Sequence, residues 1–188
     1  MPRIFGASQG TFARWLDRVM GDDQDGLLTP LDRHILQELK DPGWFEGADD
    51  EEPLRMPLLA LAAHYFMFAR SGDGRPVDPV ARFHLGNGAR LERINWLGDI
   101  SEKGLREAHG LMVNYRYDLK EIERNHEAYA NDGEVTASRA VRQMAKAAPS
   151  AKSKIAAPKA LLQLPSGGSA PEPTKASGDS EKGGSGRK

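Results

Sequence analysis

The chain contains no cysteine, which excludes disulfide frameworks, thiolate metal sites and thiol nucleophiles in one step. It has no long hydrophobic run. The most apolar stretch, residues 56–69, is bounded by Arg55 and Arg70 and contains His64. Fourteen residues fall short of the roughly 20 that cross a bilayer core, so a buried helix is expected and no membrane association. Charge of one sign is lacking too, since 26 basic side chains meet 27 acidic ones. A mildly acidic body with no clustered positive footprint speaks against a nucleic-acid partner. Aromatic residues make up only 7% and stop at Tyr129.

What remains divides into two materials. From Pro149 to Lys188, Ser, Gly, Ala and Pro fill 24 of 40 positions, and seven basic groups outnumber three acidic ones. Such a segment cannot bury enough apolar surface to offset its ordering entropy, so residues 149–188 are expected to be a disordered tail. Its one apolar island, Ala160-Leu161-Leu162-Gln163-Leu164, reads either as a docking motif or as an incidental cluster.

Residues 1–148 form the folded domain, expected to be α+β and mostly helical with one β-hairpin. Phe12, Trp15, Leu16 and Val19 recur at helical spacing before Gly21. Thr29-Pro30 is an N-cap with proline at the first helical position. Between Lys40 and Arg55 lie six acids and no base, including Asp49-Asp50-Glu51-Glu52, which suits a solvated loop. Val80–Leu85 and Arg90–Trp96 flank Gly86-Asn87-Gly88-Ala89, and Asn-Gly is a strong hairpin cue. Three helical segments are then predicted, at 101–115, 118–130 and 138–146, with Ser101 and Ser138 as N-caps.

Five histidines sit at 34, 64, 84, 109 and 126, none paired at i, i+3 or i, i+4. No helical metal site is expected. On the predicted hairpin, Phe83 and Leu85 share one face, while His84 shares the other with Arg82, Arg93 and Asn95. His84 would then project from the more polar face. The pattern alone leaves structural and catalytic roles both open for it.

Three strings narrow this choice: Asp78-Pro79-Val80-Ala81-Arg82-Phe83-His84-Leu85-Gly86-Asn87-Gly88-Ala89, Arg93-Ile94-Asn95-Trp96, and Gly110-Leu111-Met112-Val113-Asn114-Tyr115-Arg116-Tyr117. Together with Asn125-His126-Glu127-Ala128-Tyr129 and Phe12-Ala13-Arg14-Trp15-Leu16, they resemble the C-terminal part of the malonyl-CoA decarboxylases. The resemblance implies a catalytic domain of the acetyltransferase (GNAT-like) type, converting malonyl-CoA to acetyl-CoA and CO2 with no cofactor or metal. It implies a serine–histidine pair, with the histidine in Phe-His-Leu, hence His84 as proton donor. Tyr117 matches a position beside that pair, and Asn114 of the same string is a second candidate contact for the substrate.

The sequence departs from the family pattern at the serine. Where the family has Leu-Ser-Pro-x-Pro-Gly-Phe, this chain has Gly6-Ala7-Ser8-Gln9-Gly10-Thr11-Phe12. Ungapped alignment from Phe12 puts Ala7 at the serine position, and a one-residue shift brings Ser8 there. The family's helical assembly domain and the first half of its catalytic fold, with the coenzyme A pyrophosphate loop, have no counterpart here. A truncated domain is therefore expected, either marginally stable alone or needing an oligomer or a complementing N-terminal segment, or acting as a non-catalytic module. Arg3, Arg14 and Arg18 against Asp17 suit a transit peptide or a plain amphipathic helix. With Ser-Gly-Arg-Lys at the end instead of a peroxisomal tripeptide, the cytoplasm is the expected location.

Overall fold

A computed structural model describes residues 3–6, 11–23, 26–48 and 53–148, all within one compact unit, Met1–Ser153. The acidic run at 49–52, Ser8 and the tail with its apolar island lie outside the described residues. The element order is β1 (Arg3–Gly6), α1 (Thr11–Gly21), α2 (Pro30–Leu36) with a 3-10 turn (Gln37–Lys40), α3 (Arg55–Phe68), α4 (Pro79–Gly86), β2 (Arg90–Asn95), α5 (Glu102–Ala108), β3 (Met112–Arg116), α6 (Ile122–Asp132) and α7 (Arg139–Ala147). Helices and a small antiparallel sheet thus make an α+β unit.

Local chemistry sets most of these boundaries. Thr29 and Asp32 form a capping box on α2, with Pro30 at its first position. Ser101 and Ser138 accept from the backbone N–H groups of Gly104 and Val141 and so cap α5 and α7. α3 is apolar on every side: Leu58, Leu59, Leu61, Tyr65 and Phe66 are all buried. A helix of that composition belongs at the centre, and it packs on α7, α1 and α2.

The sheet has the order β1-β3-β2, with both pairings antiparallel. A bulge at Glu92 lets Leu91 face Tyr115 and Ile94 face Val113. The extra residue puts Leu91 and Ile94, three apart, both in the core. The outer edge of β2 is covered: Leu91 donates to the Thr136 carbonyl at 2.9 Å and accepts from Ser138 at 2.9 Å. That blunts an edge otherwise open to pairing.

Two expectations fail. The predicted hairpin does not exist, because Val80–Leu85 lies in α4. Asp78 caps that helix, its carboxylate accepting from Ala81 N–H at 2.8 Å, and Pro79 occupies the first helical position. Asn87-Gly88 then ends the helix instead of turning a strand. Gly88 N–H bonds the Leu85 carbonyl at 2.9 Å and Ala89 N–H the His84 carbonyl at 3.0 Å, with Gly88 at φ +75°, which is the Schellman closure. The second failure is the helix expected over 101–115. It stops at Ala108, where His109 (φ 48°) and Gly110 (φ 74°) both turn left-handed, and residues 112–116 become β3, the central strand.

His109 has a measurable consequence. Its ring lies edge-on to Phe12 at 6.3 Å, and its Nε2 is buried with no hydrogen-bond partner among the described residues. Burial pushes the imidazole below its ordinary value of 6.5, against a smaller upward pull from Asp17. Between that lowered value and 6.5 the unfolded chain binds a proton that the folded chain refuses. The His109 contribution to stability is therefore full above about pH 6.5 and is lost as pH falls below it. Urea midpoints measured from pH 7 to pH 5 should decline more steeply for the native chain than for His109→Gln; parallel declines would refute this.

Candidate active site

The site is built on α4. Asp78 at its N-cap is 1% exposed, and its hydrogen bond to Ala81 N–H fixes the first turn. At the other end α6 clamps the helix. Asn125 donates Nδ2–H to the Gly88 carbonyl at 3.2 Å, and His126 donates Nδ1–H to the Gly86 carbonyl at 2.6 Å. His84 lies between these two anchors, so its backbone is held at both ends.

Its ring is 3% exposed, contrary to the polar outward face expected from the hairpin. The difference follows from the helix, which turns His84 and Leu85 inward together with Ala81. The imidazole stacks on the Tyr115 ring with centroids 4.5 Å apart and planes 19° from parallel. Its Nδ1 is 2.8 Å from the Tyr117 hydroxyl. Tyr115 and Tyr117 stand two residues apart in extended chain, so both reach the same side. Tyr117 is 38% exposed, and Phe83, whose ring is 5.2 Å from that of His84, is 65% exposed, which leaves the rim of the site open while the His84 ring itself is enclosed.

The electrostatics are uneven. Burial first, and then the neighbouring Asp78, Tyr65 and Tyr117, push the Tyr115 phenol well above its ordinary range. Tyr115 therefore stays a neutral, electron-rich plate beneath His84. A ring of that kind attracts a cation on its face. In the imidazolium, Nδ1–H donates to the Tyr117 oxygen; in the neutral ring with its proton on Nε2, the Tyr117 hydroxyl donates to Nδ1. The phenol serves either state.

Of the residues singled out in the sequence, the fold brings His84 and Tyr117 together. Asn114 is 6% exposed and on the opposite side of β3 from Tyr115, where its Oδ1 accepts from Asn95 Nδ2 at 2.7 Å. Ser8 lies outside the described residues. Sequence reading missed Tyr115 and Asp78. The Asp-Pro pair was a legible N-cap signal, whereas the stack on Tyr115 arises only once α4 packs against the sheet.

The family model for the malonyl-CoA decarboxylase C-terminal domain matches residues 7–155. Mitochondrial malonyl-CoA decarboxylase of the goose Anser anser anser is 41% identical over 98 residues, 52% of this chain and 19% of that protein. The Mus musculus protein of the same name is 38% identical over 109 residues, 58% of this chain and 22% of its own length. Among solved structures, malonyl-CoA decarboxylase from Rhodopseudomonas palustris superposes with a TM-score of 0.70 at 48% identity, covering 76% of this chain and 33% of that one. The Agrobacterium vitis structure gives 0.70 at 50% identity, covering 77% and 36%. The chain thus spans about a fifth of the curated relatives and about a third of the solved structures. Within that span, the chain belongs to the malonyl-CoA decarboxylase C-terminal domain family.

Proposed function

We propose that this chain carries the proton-donating part of a malonyl-CoA decarboxylase, in a portion of a GNAT-like catalytic fold. The observation that carries the reading is the placement of His84, enclosed between Tyr115 and Tyr117 on a helix fixed at both ends. In the reaction the bond between C2 and the malonyl carboxylate breaks and CO2 leaves. The electron pair passes to C2 and is delocalised onto the thioester oxygen as an enolate. Enclosure of the site favours this spread-out charge over the compact carboxylate.

The enolate is then quenched. His84 enters as the imidazolium, and its Nε2 proton moves to C2, giving acetyl-CoA and a neutral ring that regains a proton from solvent. Nδ1 is committed to Tyr117, so Nε2 is the nitrogen that delivers the proton. Imidazole suits the step because its ordinary pKa lies near neutrality. Ser8 is the candidate anchor for the malonyl carboxylate, and Tyr117 holds Nδ1 so that Nε2 is left for the substrate.

One observation favours a second reading, a non-catalytic module of the same family. Ala7 stands where ungapped alignment places the family's serine. A single assay separates the two. Purified 188-residue chain is mixed with malonyl-CoA, and acetyl-CoA is followed by mass spectrometry. Enzyme-dependent conversion is expected; a baseline indistinguishable from buffer would decide for the module.

A further inference from the structure

Between α1 and α3 lies a cavity of about 480 Å³, with Trp15, Arg18, His64, Phe68 and Arg70 in its lining, a size typical of small-molecule pockets. It shares no residue with the His84 stack. Helical spacing assembles it, since Trp15 and Arg18 are one turn apart on α1, and His64 and Phe68 one turn apart on α3. The rings make one wall. Trp15 and His64 lie 21° from parallel with centroids 6.3 Å apart, and the Phe68 ring is 5.2 Å from that of His64. Trp15 is 8% exposed whereas Phe68 is 53% exposed, so the wall is rooted in the core and ends in an open aromatic face.

The charge of the lining narrows the ligand class. Arg70 donates to two neutral carbonyls, those of Ala69 at 3.2 Å and Gly133 at 3.3 Å, and burial lowers its pKa. A partly desolvated cation of this kind favours an anion beside it. Arg18 is exposed, and neither arginine has an ion pair among the described residues. Two carboxylates share the lining. Asp23 accepts from Leu27 and Leu28 N–H at 2.6 and 2.7 Å and is answered by Arg33 at 3.8 Å. In the charge balance Arg18 and Arg70 therefore stand against Asp22, which has an interaction of its own. One positive charge is left over, which a monoanion meets and a multiply charged phosphate overshoots.

We infer that this cavity binds a planar aromatic monocarboxylate of one or two rings, the ring system against Phe68 and His64 and the carboxylate on Arg18 and Arg70. Planar rings stack on the open face of the wall, and the guanidinium fork matches a carboxylate with parallel N–H donors. An aliphatic acid would leave the aromatic face unused, and an uncharged ring would leave the guanidinium groups unanswered. The site goes beyond the decarboxylase reading and does not depend on it, because its ligand meets none of His84, Tyr115 and Tyr117 in the lining.

The test is calorimetric titration of the 188-residue chain with 2-naphthoate. Two analogues form separate arms: 2-naphthylmethanol, which keeps the rings without the charge, and cyclohexanecarboxylate, which keeps the charge without an aromatic face. Saturable binding of 2-naphthoate with a Kd below about 1 mM is expected, and each analogue should bind at least about fivefold more weakly. Arg18→Glu should weaken 2-naphthoate at least about tenfold and Phe68→Ala about fivefold. Both side chains are exposed, and an unchanged melting curve confirms that each variant folds; the analogue arms need no variant. No saturable binding of 2-naphthoate, or affinities within about twofold of wild type in both variants, would overturn the site. Equal affinity for 2-naphthylmethanol would overturn the role of the two arginines, and equal affinity for cyclohexanecarboxylate would overturn the aromatic class of the ligand. Decarboxylation plays no part in any arm, so the result is the same whether or not the chain is active.

Discussion

Gly88→Ala is expected to destabilise the domain by about 3 kcal/mol and to lower its melting temperature by roughly 6–12 °C. Two terms add. Gly88 sits at φ +75°, where a Cβ costs about 1–2 kcal/mol. A Cβ built there also falls 2.3 Å from the Ile122 carbonyl oxygen and 2.9 Å from its carbon. Those are backbone atoms at the start of α6, so no side-chain tip can yield and the helix itself must move, at a cost of about 1–3 kcal/mol. Movement of α6 also disturbs the clamps that Asn125 and His126 place on the end of α4. Gly133→Ala is the control. Its φ is +65°, but nothing among the described residues lies within 4 Å of the added Cβ, so only the conformational term of about 1–2 kcal/mol applies. Thermal unfolding followed by circular dichroism compares the two; equal shifts would contradict the close approach of α4 and α6.

The helix starts were largely written in the chain. Thr29-Pro30, Ser101 and Ser138 act through hydrogen bonds spanning two or three residues, and such local chemistry can be read directly. The Asp78-Pro79 pair carried the same information. It was outweighed by Asn87-Gly88, a dipeptide that serves equally to turn a hairpin and to close a helix. Which role it takes depends on the partner of β2. That partner is β3, separated from it by α5, so the choice is made by long-range pairing. The same division runs through the site. His84 and Tyr117 were legible as members of recognisable strings, although 33 residues separate them. The parallel stack on Tyr115 was not, because it depends on how α4 rests on the sheet. Misreading α4 as a strand also put His84 on a polar face, whereas the helix encloses it.

His84→Gln is expected to have the largest effect on activity. Glutamine keeps a polar side chain of similar reach inside the site, yet it has no acidic proton to give to C2 near neutral pH. Loss of a general acid lowers rates by about 100- to 10,000-fold. The lost stack on Tyr115 adds a modest loss of stability, on the order of 1 kcal/mol, which leaves the variant folded. Tyr117→Phe removes only the hydroxyl at Nδ1 and should fall between the two. The direct measurement is acetyl-CoA formation from malonyl-CoA by the native chain and by His84→Gln, both checked for folding by circular dichroism. A native rate that drops at least 100-fold in the folded variant is the expected result; a variant within a few-fold of native would remove His84 from the chemistry.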